Sequence, residues 1–241
     1  MLIIQGERFD AYEQWDVSAK YFYDRGYYTW MASAIENHDT VVEIGCGTGY
    51  STLSLIENGH RVIAIEKNKD CVEKAKRLLQ SRNVDEEKIV FLEGDIAEAE
   101  FRESLISSFS FDAVVCWNVG TYWSKEMMEY YLPHMLEYGL ERWQIAQNPE
   151  SSYSELILWE TCRLAKGKNV PVHIIDRSAE VLDETNDPYY RVLKDEFGFG
   201  EILYDNMFAD SISNGGRMLS TNGNVNNNAM VNVIFLSLLM R

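Results

Sequence analysis

The chain has 241 residues, 46% of them apolar, enough to build one α/β domain with an added cap or at most two small domains. Twenty-two basic against thirty-eight acidic side chains leave a net charge of −16, a field that repels phosphate backbones and anionic lipid and suits a cationic or neutral partner, or simply keeps the surface soluble. Cys46, Cys71, Cys116 and Cys162 are scattered with no C-x-x-C pair, which argues against a disulfide framework or a zinc site.

In chain order, Met1 to Asp10 lacks a basic stretch followed by a long apolar run, so no signal peptide is expected. Aromatic residues crowd the next stretch, and helical periodicity runs from about Ser18 to Ile35, broken or bent near Gly26. From Thr40 strands and helices alternate. Val41, Val42 and Ile44 make a β-branched strand, and a helix follows from about Tyr50 and stops at Gly59. Arg61 to Glu66 is the second strand, and Asn68 reads as the N-cap of the next helix. Ile89 to Leu92 and Phe111 to Trp117 are the third and fourth strands. Helices are expected over Lys125 to Tyr138, bent or interrupted at Pro133, and over Ser152 to Lys166. Val170 to Asp176 is the fifth strand, and a helix spans Pro188 to Phe197. Glu201 to Phe208 and Val231 to Met240 form a closing strand pair, joined by a long loop rich in Asn, Gly and Ser. Val231 to Met240 is about half a membrane span and reads as a strand. The pattern predicts a seven-stranded, mostly parallel, Rossmann-like sheet with helices on both faces and an antiparallel C-terminal strand.

In open sheets of this kind, ligands bind beyond the carboxyl ends of the strands, where the strand order reverses. Glu43-Ile44-Gly45-Cys46-Gly47-Thr48-Gly49 lies at such a strand-to-helix turn, where glycine permits a sharp bend and leaves no Cβ between backbone and ligand. Glu66 ends the next strand, where a carboxylate can accept hydrogen bonds from both ribose hydroxyls of a nucleoside. Asp95 follows the third strand, placed to meet an adenine edge or to cap the helix after it. A dinucleotide fold wants G-x-G-x-x-G, but here the spacing is G-x-G-x-G with Tyr50 at the third glycine's place. Glu43 beside the loop also opposes a pyrophosphate and suits an ammonium or a sulfonium.

The segments VVEIGCGTGYST, IAIEKN, FLEGDI and FDAVVCWN, in this order, resemble the successive motifs of class I S-adenosylmethionine-dependent methyltransferases. The resemblance covers about Asp39 to Asn118, and more loosely the late strand pair. It implies S-adenosylmethionine as cofactor, held by Glu43, Gly45, Cys46, Gly47, Gly49, Glu66, Lys67, Asp95, Ile96 and Asn118. Tyr21 and Tyr28 of an aromatic cap over residues 1–38 are candidates to face the sulfonium, since a dry cation–π contact contributes about 1 kcal/mol or more; residues 39–241 would form the cofactor-binding domain. Asn118 and Tyr122, after the fourth strand, are the candidate catalytic residues. Asn118-Val119-Gly120-Thr121 departs from the N-P-P-Y pattern of relatives that methylate exocyclic or side-chain amide nitrogens. His134 and His173 read as structural, and Asp176 and Arg177, at the fifth strand's carboxyl end where functional residues are expected, as site residues or as a surface ion pair or turn.

The expected activity is methyl transfer to an oxygen or nitrogen of a small molecule. A protein acceptor, less so RNA, and a non-catalytic cofactor-binding subunit stay open, as does a nicotinamide oxidoreductase. The expected setting is cytoplasmic, as a monomer or homodimer, with no nucleic acid, membrane or metal.

Overall fold

The computed structural model describes residues 3–4, 7–8, 11–119, 125–212 and 230–241. A short antiparallel pair, β1 (Ile3–Ile4) and β2 (Glu7–Arg8), precedes two helices, α1 (Ala11–Asp24) and α2 (Tyr27–Ser33). Gly26 separates these helices at φ 75°, a conformation that costs a residue with a Cβ and ends one helix before the next begins. Then follow β3 (Thr40–Ile44), α3 (Tyr50–Glu57), β4 (Arg61–Glu66), α4 (Lys69–Ser81), β5 (Ile89–Glu93), α5 (Ala99–Ser108) and β6 (Ala113–Trp117). The second half holds α6 (Lys125–Tyr138), α7 (Arg142–Gln147), α8 (Pro149–Lys168), β7 (Val172–Ser178), α9 (Tyr190–Phe197), β8 (Ile202–Ile212) and β9 (Met230–Met240).

The sheet runs β5-β4-β3-β6-β7-β9-β8, parallel from β5 to β7. β9 alone is reversed, pairing antiparallel with both β7 and β8. Val41, Val42 and Ile44 are buried on both faces of β3, as a continuous apolar strand must be in a sheet covered twice. One face carries a core of Phe22, Tyr28, Met31, Leu53, Ile56 and their neighbours, under α1 to α4. The other carries Leu105, Met135, Ile145, Leu156, Leu164 and Leu193, under α5 to α9. The chain leaves β3 toward β4 and β5, then returns to β3's other side as β6. The loops at the carboxyl ends of β3 and β6 diverge there and open a crevice.

Polar links tie the two leading helices down. Ser18 Oγ donates to the Ile212 carbonyl at 2.7 Å, Trp30 Nε1 to Asp205 at 3.1 Å, and the Tyr27 hydroxyl to Asp210, all on β8. Pro133 lies inside α6 without ending it. No helix among the described residues is long and apolar enough to cross a membrane.

Candidate functional site

The glycine turn is anchored to the neighbouring strand. Gly45 N and Cys46 N both donate to the Ile65 carbonyl, at 2.9 and 3.1 Å. Gly47 has φ 52°, and a Cβ built there would meet nothing within 4 Å, so its bare Cα faces open space. Its N–H donates to Glu66 Oε2 at 3.0 Å. Glu66 Oε1 accepts from Asn68 N at 2.9 Å, and Asn68 Oδ1 accepts in turn from Asp70 N and Cys71 N to cap α4. Burial raises the Glu66 pKa, and the backbone N–H groups of Asn68 and Gly47 oppose that rise.

Beside Glu66 lies a network whose helical members no motif announces. Lys67 Nζ donates to the hydroxyls of Tyr131 (2.9 Å) and Tyr153 (2.6 Å), and lies 4.6 and 4.4 Å from the two ring centroids. The Tyr131 hydroxyl donates to Asp95 Oδ2, while Asp95 Oδ1 accepts from Ala97 N at 2.9 Å. Burial lowers the Lys67 pKa, and Asp95 and Glu66 partly restore it. A buried ion pair, Arg102 to Glu160 at 3.0 Å, stands behind the same loop, and Arg102 also donates to the carbonyls of Ile96 and Ala97.

At the other end of the crevice Trp117 closes β6. Its ring stacks on Tyr28, centroids 6.3 Å apart and 15° from parallel. Its Nε1 donates to His173 Nδ1 at 3.1 Å, which leaves Nε2–H of a neutral His173 to donate to Ser237 Oγ at 2.8 Å. Asn118 follows at φ 54°, held by its N–H to the Ile175 carbonyl, with its Oδ1 accepting from Arg177 Nε at 2.9 Å. Glu66, Asp95, Lys67, Gly47, Tyr28, Asn118 and Arg177 all line one cleft across the ends of β5, β4, β3, β6 and β7.

Residues 41–138 match a family model described as a methyltransferase domain. This stretch, from β3 into α6, is thus similar to a methyltransferase domain, and the fold around it is the one such enzymes share. Solved structures share its fold at low identity. The magnesium protoporphyrin IX methyltransferase from Synechocystis PCC 6803, with S-adenosylmethionine bound, is 12% identical at a TM-score of 0.52, covering 98% of this chain and 86% of that one. The S-adenosylmethionine-dependent methyltransferase from Agrobacterium tumefaciens is 13% identical at 0.52, covering 90% and 62%. An RNA methyltransferase candidate from Pyrococcus horikoshii is 12% identical at 0.51, covering 90% and 84%. No curated protein matches the chain.

The cleft fits the chemistry of S-adenosylmethionine. Gly47 leaves a side-chain-free floor, and the buried Thr48 Oγ1 and Asn118 Nδ2 have no hydrogen-bond partner among the described residues. Of the residues expected from the sequence, Gly45, Cys46, Gly47, Glu66, Lys67, Asp95, Ile96, Asn118 and Tyr28 line the cleft. Glu43 lies behind it on β3, 2% exposed, accepting from Thr52 Oγ1 at 2.6 Å, and burial raises its pKa to about 7. Gly49 is also behind the wall: a Cβ there would lie 2.7 Å from the Ala75 Cβ, so this glycine serves helix packing. Tyr21 is outside the lining, toward Asp210. Tyr122 falls outside the described residues, as do Trp123 and the Asn-rich run 222–228. Asp95 lines the cleft and accepts from Ala97 N in the turn after β5, whereas the residue at the N-cap of α5 is Glu98. Sequence reasoning missed Tyr131 and Tyr153, because nothing local relates two helical tyrosines to a lysine on a strand end. Arg177, for which a surface ion pair or turn was the alternative to a place in the site, lines the cleft at the carboxyl end of β7.

Proposed function

We propose that this protein is an S-adenosylmethionine-dependent methyltransferase acting on an oxygen or nitrogen nucleophile of a small molecule. The carrying observation is the aromatic wall of Phe22, Tyr28 and Trp117 at the β6–β7 end of the cleft. Such a wall fits a compact, largely apolar acceptor. The charge of −16 adds a repulsive field against nucleic acid. S-adenosylmethionine supplies a methyl group already activated on a sulfonium sulfur. The chain's own work is to bind, align and exclude water.

In this reading Glu66 accepts from the ribose hydroxyls, and Asp95, Ile96 and Lys67 surround the base. Gly45, Cys46 and Gly47 carry the amino-acid portion, with Glu43 and Gly49 shaping the turn from behind. Asn118 marks the boundary with the acceptor, and Tyr28 offers a ring face to positive charge. Residues 1–38 act as a cap on a catalytic domain of residues 39–241, in a cytoplasmic monomer or homodimer.

The test is transfer of label from methyl-labelled cofactor into a fractionated extract of the source cells. Label in the small-molecule fraction is expected. Label confined to protein or RNA, or tight cofactor binding without any transfer, sinks the proposal. In parallel, Glu66→Ala should weaken S-adenosylhomocysteine binding by about 1.5–3 kcal/mol in calorimetry, and unchanged affinity would remove the ribose assignment.

A further inference from the structure

The acceptor end of the cleft is chemically one-sided. Asn118 is held in the left-handed region, and its amide oxygen is taken by Arg177. That leaves Asn118 Nδ2 buried with no partner among the described residues. The Arg177 guanidinium lines the same cleft with its Cζ 5.5 Å from the Phe22 ring centroid. Its Nε is spent on Asn118, and the two terminal nitrogens carry no hydrogen bond or ion pair to a described residue. Three nitrogens that only donate therefore meet beside an aromatic wall.

Among the described residues that line this end, no group is suited to take a proton. Tyr28 stays a phenol, since burial raises its pKa. Ser18 Oγ donates to the Ile212 carbonyl. The acids of the cleft, Glu66 and Asp95, belong to β4 and β5 on the far side of β3. Three strand steps separate β4 from β7, about 14 Å at the usual spacing. A nucleophile that must lose a proton during transfer finds no described base here. A carboxylate needs none, and a guanidinium fork is the side chain best shaped to hold one.

We propose that the acceptor is a flat, small-molecule carboxylic acid whose carboxylate is held by Arg177 and Asn118 and is itself methylated to an ester. The proposal rests on the small-molecule reading above. One carboxylate oxygen forms the new bond to the methyl carbon. The methyl–sulfur bond breaks with its electron pair left on sulfur, so the sulfonium becomes a thioether. The two opposite charges are cancelled and no proton is released. Arg177 and Asn118 hold the second oxygen and aim the first.

Methyl esters release methanol in mild base, whereas methyl ethers and methylamines do not. The experiment treats the labelled small-molecule fraction with base and counts volatile label, for the wild type and for Arg177→Gln. Calorimetry with S-adenosylhomocysteine is run on both proteins. Expected are base-volatile label with the wild type, a loss of at least about 10-fold in the variant, and homocysteine-nucleoside affinity unchanged within about 2-fold. Base-stable label in small molecules overturns the ester proposal and leaves the small-molecule reading standing. No label in that fraction sinks both. A fall of about 10-fold or more in S-adenosylhomocysteine affinity would assign Arg177 to the cofactor's own carboxylate and overturn the acceptor assignment.

Discussion

Glu43 sits 2% exposed behind the glycine turn, and burial holds its pKa near 7 although Ser51 and Thr52 hydroxyls favour the carboxylate. Near neutral pH the group is therefore about half protonated. A cofactor ammonium brought close to the turn would favour the charged form and expel that proton. Binding of S-adenosylhomocysteine near pH 7 should then release roughly half a proton. Calorimetry in phosphate and in Tris reads this directly, because the buffers differ in ionisation enthalpy. Equal binding enthalpies in the two buffers, or a release that persists in Glu43→Gln, would end any role for Glu43 in sensing the cofactor. Gln can still accept from Thr52, so the variant keeps the local bond that holds α3 to β3.

Local chemistry wrote most of the elements plainly. Asn68 caps α4 as its side chain suggested, Gly26 divides α1 from α2, and Gly59 follows α3 at φ 103°. Two elements resisted. α7 is only Arg142–Gln147, too short for a periodic pattern to declare itself, and Pro133 is absorbed within α6 rather than ending it. β8 runs four residues past its expected end, to Ile212, whereas β9 starts only one residue early, at Met230; the long mutual ladder outweighs weak local propensity at the end of β8. The glycine turn shows how element packing and ligand binding divide one motif. Gly49 has φ 91° with Ala75 directly against it, whereas Gly59 has φ 103° with open space around it. Gly49→Ala should cost about 2–4 kcal/mol in urea unfolding, from backbone strain plus α3–α4 overpacking, and Gly59→Ala only about 1–2 kcal/mol from strain alone. Equal losses at the two positions would show that contact with Ala75 is not what fixes the third glycine.

For the whole molecule, what the sequence disclosed and what it hid follow from contact range. That Gly45, Glu66 and Asp95 share one rim was legible because each stands within a few positions of a strand end, and parallel strands bring those ends together. Lys67 meeting Tyr131 and Tyr153, or Trp117 meeting His173 and Ser237, requires elements far apart in the chain to pack, and no local pattern encodes that. Burial of such groups also shapes global stability against pH. Burial drives the His173 pKa from 6.5 down to about 3, so its contribution is fully present above pH 6.5 and is lost as pH falls toward 3. Glu43 has the opposite sign: its pKa rises from 4.5 to about 7, so its contribution is full below pH 4.5 and is lost as pH climbs through 7. The net charge of −16 adds self-repulsion on the alkaline side. Because Glu43→Gln removes the titrating group but little of the charge, it separates the two alkaline effects. Between pH 5 and pH 8 the wild type should lose about 2–3 kcal/mol more unfolding free energy than Glu43→Gln, read from urea melts at each pH. Parallel pH profiles for the two proteins would mean that Glu43 reaches solvent in the folded state and that self-repulsion alone governs the decline.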